Sequence, residues 1–168
     1  MSAANAIIAL GGNVGDVPAA MALALRAFDA REDLRILGVS KLYSTPPWGK
    51  TDQPDFINAC ALVETGLDPL ALLDLCLETE RVHGRERGER WGPRTLDLDV
   101  IDYDRRTISD ARLELPHPRA KDRAFVLRPL ADLDPDFAIH GETARQRLAV
   151  LAGDGIRPIS EDGDWWRR

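Results

Sequence analysis

Two aspartates at alternate positions, Asp97 and Asp99, are the residues of this chain best suited to chemistry. They belong to the run LDLD at 96–99, whose apolar–acidic alternation has the period of a β-strand. On a strand both carboxylates point to one face, with their Cα atoms about 6.6 Å apart. Neighbouring carboxylates repel each other unless a cation lies between them, and Mg²⁺ commonly binds one or two carboxylates together with substrate phosphates. The pair therefore predicts a Mg²⁺ site that receives a phosphorylated ligand.

Arginines precede the acidic pair along the chain, namely Arg85, Arg87, Arg90 and Arg94. A guanidinium group can bind phosphate oxygens through two parallel hydrogen bonds, so this segment predicts phosphate contacts beside the metal. Segment 117–128 is also basic, with Arg119, Lys121, Arg123 and Arg128 against Asp122. A solvated acidic strand face with arginines that contact only water is the alternative interpretation.

Composition restricts the class of protein. With 168 residues, 44% of them apolar and 30% charged, the chain is expected to form a single domain over 1–168. The net charge of −6 argues against general binding to nucleic acid or to anionic membranes. Cys60 and Cys76 lack the spacing of a zinc or redox motif, and the N-terminus has no signal-type apolar stretch. We therefore expect a soluble cytoplasmic protein.

The apolar patterning predicts an α+β fold that holds these residues in place. Strands are expected at 5–10, 34–44, 56–64 and 96–103, and helices at 16–31 and 68–83. The glycines at 11 and 12 are expected to form a turn. The order β-α-β-β-α-β is that of a ferredoxin-like core, an antiparallel sheet with helices packed on one face. A hairpin near 105–115 and helices near 121–132 and 143–152 follow. Trp165 and Trp166 are expected either to pack on the core or to extend from it, and not to bind a ligand.

Two predicted loops, 45–55 and 85–95, each contain a tryptophan, Trp48 and Trp91. The topology brings both loops toward one edge of the sheet, where loops on a rigid scaffold often carry function. Two aromatic walls are typical of a site for a flat ligand, next to the phosphate site at Asp97 and Asp99. Packing of each tryptophan between its loop and the core is the alternative.

Several runs resemble one known family. YSTPPWG at 43–49, DQPDFIN at 52–58 and RWGPRTLDLD at 90–99 resemble 6-hydroxymethyl-7,8-dihydropterin pyrophosphokinase, and LPHP at 115–118 and RAF at 123–125 are similar to its later motifs. The resemblance covers about residues 5–140. It implies a ferredoxin-like monomer that uses two Mg²⁺ ions and ATP as co-substrate. Such an enzyme transfers the pyrophosphoryl group of ATP to the pterin hydroxymethyl group and releases AMP, in folate biosynthesis.

The resemblance also implies roles for particular residues. The metal ligands would be Asp97 and Asp99, which together with Arg85 and Arg94 form the catalytic set. The pterin pocket would contain Thr45, Pro46, Trp48, Phe56, Asn58, Trp91, Asp97 and Phe125. The ATP contacts would be Leu73, Glu80, Arg85, Arg87, Trp91, Arg94, Val100, Arg112, His117 and Arg123. The 85–90 loop is one residue shorter than in the best-known member, which leaves the register of Arg85 and Arg87 open.

Three other functions compete with this interpretation. A ferredoxin-like RNA-binding module needs aromatic residues on its central strands and a basic sheet face. The sequence of this acidic chain indicates neither feature. A regulatory small-molecule domain would leave the aspartate pair and the arginines without a role. A Mg²⁺-dependent transferase that acts on another alcohol remains open. Positioning and charge stabilisation account for most of phosphoryl-transfer catalysis, and no dedicated general base is predicted.

Overall fold

A computed structural model describes residues 3–47, 52–83, 95–153 and 155–168. Its main sheet contains β1 (Ala4–Gly12), β2 (Leu34–Val39), β3 (Tyr43–Thr45), β4 (Phe56–Thr65), β5 (Asp97–Tyr103) and β10 (Arg157–Pro158). Two short hairpins contain β6 (Ile108–Ser109) with β7 (Glu114–Leu115) and β8 (Ala138–Ile139) with β9 (Glu142–Thr143). The helices are α1 (Val17–Asp29), α2 (Pro69–Val82), α3 (Ala124–Leu133) and α4 (Ala144–Val150).

The main sheet is antiparallel and has the strand order β10-β3-β4-β1-β5, with β2 also paired to β4. The predicted ferredoxin-like order of elements is confirmed. The predicted strand at 34–44 is wrong in one respect, because it divides into β2 and β3. Between them the backbone bonds to distant side chains: the N–H of Lys41 donates to Asp132 at 3.1 Å and that of Leu42 to Ser160 Oγ at 2.9 Å. Those partners replace a regular ladder at this point.

The two helices of the core begin where local signals predict. The Asp16 carboxylate accepts a hydrogen bond from the N–H of Ala19 at 3.1 Å, and Asp68 accepts one from Ala71 at 2.8 Å. Each caps its helix in the way expected of an aspartate followed by proline in the first turn. These bonds involve residues three apart, so neither start depends on the rest of the fold.

Helices cover both faces of the sheet, which corrects the expectation of one covered face. Helices α1 and α2 pack on the face that includes Ile8, Leu98 and Val100. Helix α3 packs on the opposite face, against Ile7 and Cys60. Successive residues of a strand alternate between faces, so the sheet supplies two separate cores. We call the second face the α3 face.

Trp165 and Trp166 pack on the core, which is one of the two alternatives expected for them. The side chain of Trp166 is 3% exposed, and its carbonyl accepts a hydrogen bond from Arg26 of α1 at 2.8 Å. Trp165 donates from Nε1 to the carbonyl of Ser40 at 2.8 Å. Among the described residues, no helix has the length and apolar character needed to cross a bilayer.

A buried carboxylate at the end of β5 yields a prediction about stability. Asp102 is 4% exposed and accepts a hydrogen bond from the N–H of Arg105 at 3.0 Å. Burial raises the pKa of Asp102 above its ordinary value of 3.8, and the hydrogen bond to Arg105 only partly opposes this. Because the folded-state pKa is the higher one, the folded protein resists ionisation of this group. The resulting penalty is complete above the folded-state pKa and disappears below the unfolded one.

Asp102→Asn keeps an oxygen acceptor and removes the charge. We expect a higher free energy of unfolding than wild type at pH 7, with the difference shrinking as the pH falls toward 4. Urea denaturation at several pH values measures this. A free energy of unfolding that rises by the same amount at every pH, or that falls at pH 7, would contradict the proposed ionisation penalty.

Candidate active site

The predicted acidic pair lies on the α3 face, at one end of the sheet. Leu96 and Leu98 are buried, whereas Asp97 is half-buried and Asp99 is exposed, so the predicted alternation is confirmed. Asp97 pairs with Gly11 of β1, and Gly11 pairs on its other side with Asn58 of β4. Directly paired residues point to the same face. The register therefore sets Asn58, Gly11 and Asp97 in a row across three strands.

Gly11 leaves space in the middle of this row. An ideal Cβ at that position would lie 2.8 Å from Nδ2 of Asn58, closer than such atoms approach in proteins. Two strand spacings separate the Cα atoms of Asn58 and Asp97, about 9–10 Å. The Asn58 amide therefore occupies the space above Gly11 that a side chain would otherwise fill, in the same row as Asp97. Gly11 was expected in a turn, but it is the penultimate residue of β1.

Two buried polar atoms at this end of the sheet have no hydrogen-bond partner within the described ranges. Thr45 is 8% exposed and Asn58 is 9% exposed. Neither Oγ1 of Thr45 nor Oδ1 of Asn58 has a hydrogen-bond partner among the described residues. Leaving such an atom buried and unsatisfied costs about 1–3 kcal/mol, and native structures seldom tolerate it without a reason. Donors of a bound ligand would supply that reason.

A cavity of about 330 Å³ opens beside Thr45. The segment after β3, the start of α3 and the segment after α4 all contribute to its wall. The lining residues are Thr45, Pro46, Pro47, Asp122, Arg123, Ala124, Phe125, Ala152 and Ile156. Three of the residues that the resemblance assigned to the pterin pocket are thus brought together, and one assigned to ATP lies next to them.

The guanidinium of Arg123 and the imidazole of His117 interact electrostatically with the acidic pair. Burial lowers the pKa of the Arg123 guanidinium, and the charges of Asp99 and Asp97 oppose that change. Burial also lowers the pKa of His117, again with Asp99 opposing it. His117 Nδ1 accepts a hydrogen bond from the N–H of Arg119 at 3.2 Å, so the neutral ring carries its proton on Nε2. Carboxylates, a guanidinium and an imidazole N–H together suit a ligand that has both metal-bound and free phosphate oxygens.

The donor set at this end of the sheet fits Mg²⁺. No group of three or more His, Cys, Asp or Glu side chains suited to a metal occurs in the described part of the chain. Asp97 and Asp99 alone would leave most coordination positions open. Mg²⁺ typically fills such positions with water and substrate phosphates, so the pair suits ions that arrive with a nucleotide.

The residues assigned to ATP are not all on this face. Val100 is 3% exposed and belongs to the core under α1 and α2, against which Leu73 packs. Arg112 forms an ion pair with Asp74 of α2. His117 and Arg123 interact electrostatically with the acidic pair, whereas the side chain of Val100 points to the opposite face. Phe56 pairs with Thr45 at the start of β4 and shares the face of Asn58.

Five of the predicted residues lie outside the described part of the chain. They are Trp48, Arg85, Arg87, Trp91 and Arg94, together with the neighbouring Arg90.

The turn between β1 and α1 is joined to the loop that precedes β4. Asn13 is 4% exposed, and its Nδ2 donates to Gln53 Oε1 at 2.9 Å and to the carbonyl of Pro54 at 3.0 Å. These bonds fix one end of the 45–55 loop next to the row that contains Asn58.

Glu80 acts on the acidic pair through the backbone. It is 3% exposed, and its Oε2 accepts a hydrogen bond from the N–H of Leu98 at 2.8 Å. Leu98 lies between the two aspartates, so a carboxylate of α2 holds the strand that presents them. This is a positioning role, and it differs from the ATP contact that the resemblance assigned to Glu80.

We expect Glu80→Ala to lower the free energy of unfolding by about 1–3 kcal/mol, because a buried N–H loses its acceptor. Glu80→Gln, which keeps an oxygen acceptor, should lose less. Glu78→Ala is the matched control on the same helix: Glu78 forms an exposed ion pair with Arg81, and such pairs contribute about 0–1 kcal/mol. Urea denaturation of the three variants measures the difference. Equal losses for Glu80→Ala and Glu78→Ala would refute the positioning role.

Sequence reasoning missed several residues of this site. Gly11 was assigned to a turn, although a glycine next to an apolar strand pattern also indicates a close approach of another group. Ala152 and Ile156 lie beyond the residues that carried the resemblance, and no local pattern marks them as part of a cavity.

Solved structures share the fold. Wild-type Plasmodium falciparum HPPK-DHPS with pteroate matches 88% of this chain at a TM-score of 0.67 and 16% identity. The wild-type protein with SDX-DHP matches 92% of this chain at 0.67 and 15% identity. The chain spans less than half of each of those longer chains, 42% and 47%. At this identity the likeness establishes the fold alone.

Sequence comparisons establish the family. The profile described as 7,8-dihydro-6-hydroxymethylpterin-pyrophosphokinase (HPPK) matches residues 7–135. The 2-amino-4-hydroxy-6-hydroxymethyldihydropteridine pyrophosphokinase of Methylorubrum extorquens is 46% identical over 92% of this chain and 98% of its own length. The enzyme of the same name from Pseudomonas aeruginosa is 42% identical over 90% of this chain and 94% of its own. The chain belongs to the HPPK family.

Proposed function

We propose that this chain transfers the pyrophosphoryl group of ATP to 6-hydroxymethyl-7,8-dihydropterin on the α3 face of its sheet, with two Mg²⁺ ions bound at Asp97 and Asp99. The observation that carries the assignment is a pair of buried atoms, Thr45 Oγ1 and Asn58 Oδ1, that find no hydrogen-bond partner among the described residues and lie at the same end of the sheet as two accessible carboxylates. A pterin edge presents N–H donors for such atoms, and its hydroxymethyl group would lie toward the carboxylates.

The pterin pocket follows from the cavity wall. Thr45, Pro46 and Phe125 line it, and Phe56 lies on the same face. Flat apolar side chains suit a planar ring, while the Asn58 amide can match both donors and acceptors at its edge. Trp48 and Trp91 complete the proposed pocket as further aromatic walls.

Cationic side chains would bind the triphosphate. Arg123 and His117 interact electrostatically with the acidic pair, and Arg85, Arg87, Arg94 and Arg112 complete the proposed set. Bound Mg²⁺ would neutralise phosphate charge and favour the deprotonated hydroxyl. The protein's own part is to align that hydroxyl with the β-phosphorus and to stabilise the charge that develops on AMP.

The reaction needs no residue as a general base. The pterin hydroxyl oxygen forms a bond to the β-phosphorus as the bond from that phosphorus to the α–β bridging oxygen breaks. AMP leaves with the bridging oxygen, and the hydroxyl proton passes to solvent. Arg85 and Arg94 would offset the negative charge on the leaving group, in line with the electrostatic character of such transfers.

We also propose that the enzyme acts as a cytoplasmic monomer. Cys60 and Cys76 are both unpaired and buried, as expected of a protein from a reducing compartment. Light scattering of the purified protein would measure its mass.

The direct test is formation of AMP from ATP and Mg²⁺, with and without 6-hydroxymethyl-7,8-dihydropterin. We expect stoichiometric AMP and pterin diphosphate only when both substrates and the metal are present. AMP formation without the pterin, or with simple alcohols equally well, would point to a different acceptor. No AMP under any of these conditions would refute the proposal.

A further inference from the structure

The C-terminal segment 155–168 contributes to the wall of the cavity that we assign to the pterin. Ile156 lines the cavity, as does Ala152 just before the segment, opposite residues from β3 and α3. Both lie well beyond residue 135, where the family profile ends. The remainder of the segment contacts β3 and the residues next to it.

The segment is joined to the strand that carries the pocket. Strand β10 pairs with β3, Arg157 opposite Ser44 and Pro158 opposite Tyr43. The pairing continues past the strand, since the N–H of Ile159 donates to the carbonyl of Leu42 at 2.8 Å. Strand β3 thus has β4 on one side and the C-terminal segment on the other.

The far end of the segment is held firmly. An ideal Cβ at Gly163 would lie 2.0 Å from the carbonyl oxygen of Val39, so the two backbones are in direct contact. Beyond it, Trp165 bonds to the carbonyl of Ser40, and Trp166 is buried against α1. The segment is therefore anchored to β2 and α1 at one end and reaches the cavity at the other.

Gly155 lies directly against Pro46, a residue of the cavity wall. Its φ is +84°, and an ideal Cβ there would lie 2.6 Å from Cγ and 2.8 Å from Cδ of Pro46. Pro46 is itself a cavity residue and follows Thr45 directly. The backbone at Gly155 thus lies so close to Pro46 that it restricts the position of the proline ring.

We propose that segment 155–168 is a positioning element for the pterin pocket: Gly155 fixes Pro46, and Ile156 closes the cavity, so that the segment sets the width of the pocket. The proposal rests on the proposed function, because it names further residues of that same site. Gly155 and Ile156 act on pterin binding, and they have no part in binding the metal or the phosphates.

Two glycines provide a matched test. Gly155 and Gly141 have almost the same φ, +84° and +83°, so alanine at either position meets the same backbone strain. A Cβ at Gly141 has nothing within 4 Å, whereas one at Gly155 presses on Pro46. We expect Gly155→Ala alone to raise the KM for 6-hydroxymethyl-7,8-dihydropterin, by about three- to tenfold, since displaced pocket contacts discriminate on that scale.

The KM for ATP should stay within twofold of wild type in both variants, and their loss of thermal stability should be similar. Equal pterin KM values for Gly155→Ala and Gly141→Ala, in an enzyme that forms AMP, would overturn the positioning role and leave the proposed function standing. A wild-type protein that forms no AMP would overturn both.

A second pair of variants covers the case in which Gly155→Ala fails to fold. Ile156→Ala widens the cavity, and Ile159→Ala removes a side chain of the same segment that is 46% exposed. We expect a pterin KM raised up to about tenfold for Ile156→Ala, given the usual cost of lost apolar contact. The pterin KM of Ile159→Ala should match that of the wild-type enzyme. Identical pterin KM values for the two variants would count against the proposal.

Discussion

We expect Asp97→Ala and Asp99→Ala each to lower turnover by about 10³-fold or more, because this pair is proposed to bind the metal ions and no larger group of metal-binding side chains occurs in the described residues to replace it. Losing a single charge-stabilising donor costs other enzymes about 10²–10³ in rate, and loss of a metal ligand also removes the ion's contribution. Asp99 is exposed and Asp97 half-buried. Their removal relieves repulsion between like charges, so the fold should be retained.

Glu64→Gln is the matched control for this pair. Glu64 belongs to the same sheet but pairs with Asn5 at the opposite end, and its carboxylate forms an ion pair with Arg35 at 3.0 Å. Its loss should leave turnover within about twofold, since exposed pairs contribute little. AMP formation and thermal unfolding should be measured for all three variants. Near-normal turnover in either aspartate variant would remove the basis of the metal assignment.

A second large loss of activity is expected when the two buried polar atoms of the proposed pterin pocket are removed. Thr45→Val and Asn58→Leu remove the buried Oγ1 and Oδ1 that lack partners among the described residues. We expect kcat/KM for the pterin to fall about tenfold for Thr45→Val and about 10²–10³-fold for Asn58→Leu, because a pocket built to hydrogen-bond its substrate discriminates strongly. Thr45→Val should be at least as stable as wild type, since Thr45 Oγ1 forms no hydrogen bond with the described part of the chain.

Thr65→Val is the informative comparison. Thr65 is 1% exposed, and its hydroxyl donates to the carbonyl of Asp33 at 2.8 Å and accepts from the N–H of Leu67 at 3.0 Å. Valine at this position should cost about 1–3 kcal/mol of stability and leave pterin kinetics unchanged. Thr45→Val should leave stability unchanged or higher and should weaken pterin kinetics. A loss of stability at Thr45 equal to that at Thr65 would indicate that Thr45 Oγ1 has a structural partner in the free protein.

Opposite effects of two chemically identical substitutions would be difficult to explain by general disturbance of the fold. They would separate a polar group kept for a ligand from one kept for the fold. Urea denaturation, together with steady-state kinetics in which each substrate is varied separately, provides both measurements.

Local signals in the sequence determined much of the fold and the placement of the acidic pair. The Asp16 and Asp68 caps act over three residues, and the alternation of 96–99 places Asp97 and Asp99 on one face whatever the strand pairs with. The order of elements, and with it the ferredoxin-like core, follows from such short-range patterns. The quoted motifs were sufficient to indicate the family, which the comparisons confirmed.

Other features depended on contacts between distant parts of the chain. Only the register of three strands aligns Asn58, Gly11 and Asp97, and only the packing of α2 brings Glu80 to the N–H of Leu98. The break between β2 and β3 and the approach of Gly155 to Pro46 depend on C-terminal residues more than a hundred positions away. Local residue patterns report what a segment prefers by itself, whereas these contacts arise when segments far apart in the chain pack together and satisfy one another's polar groups.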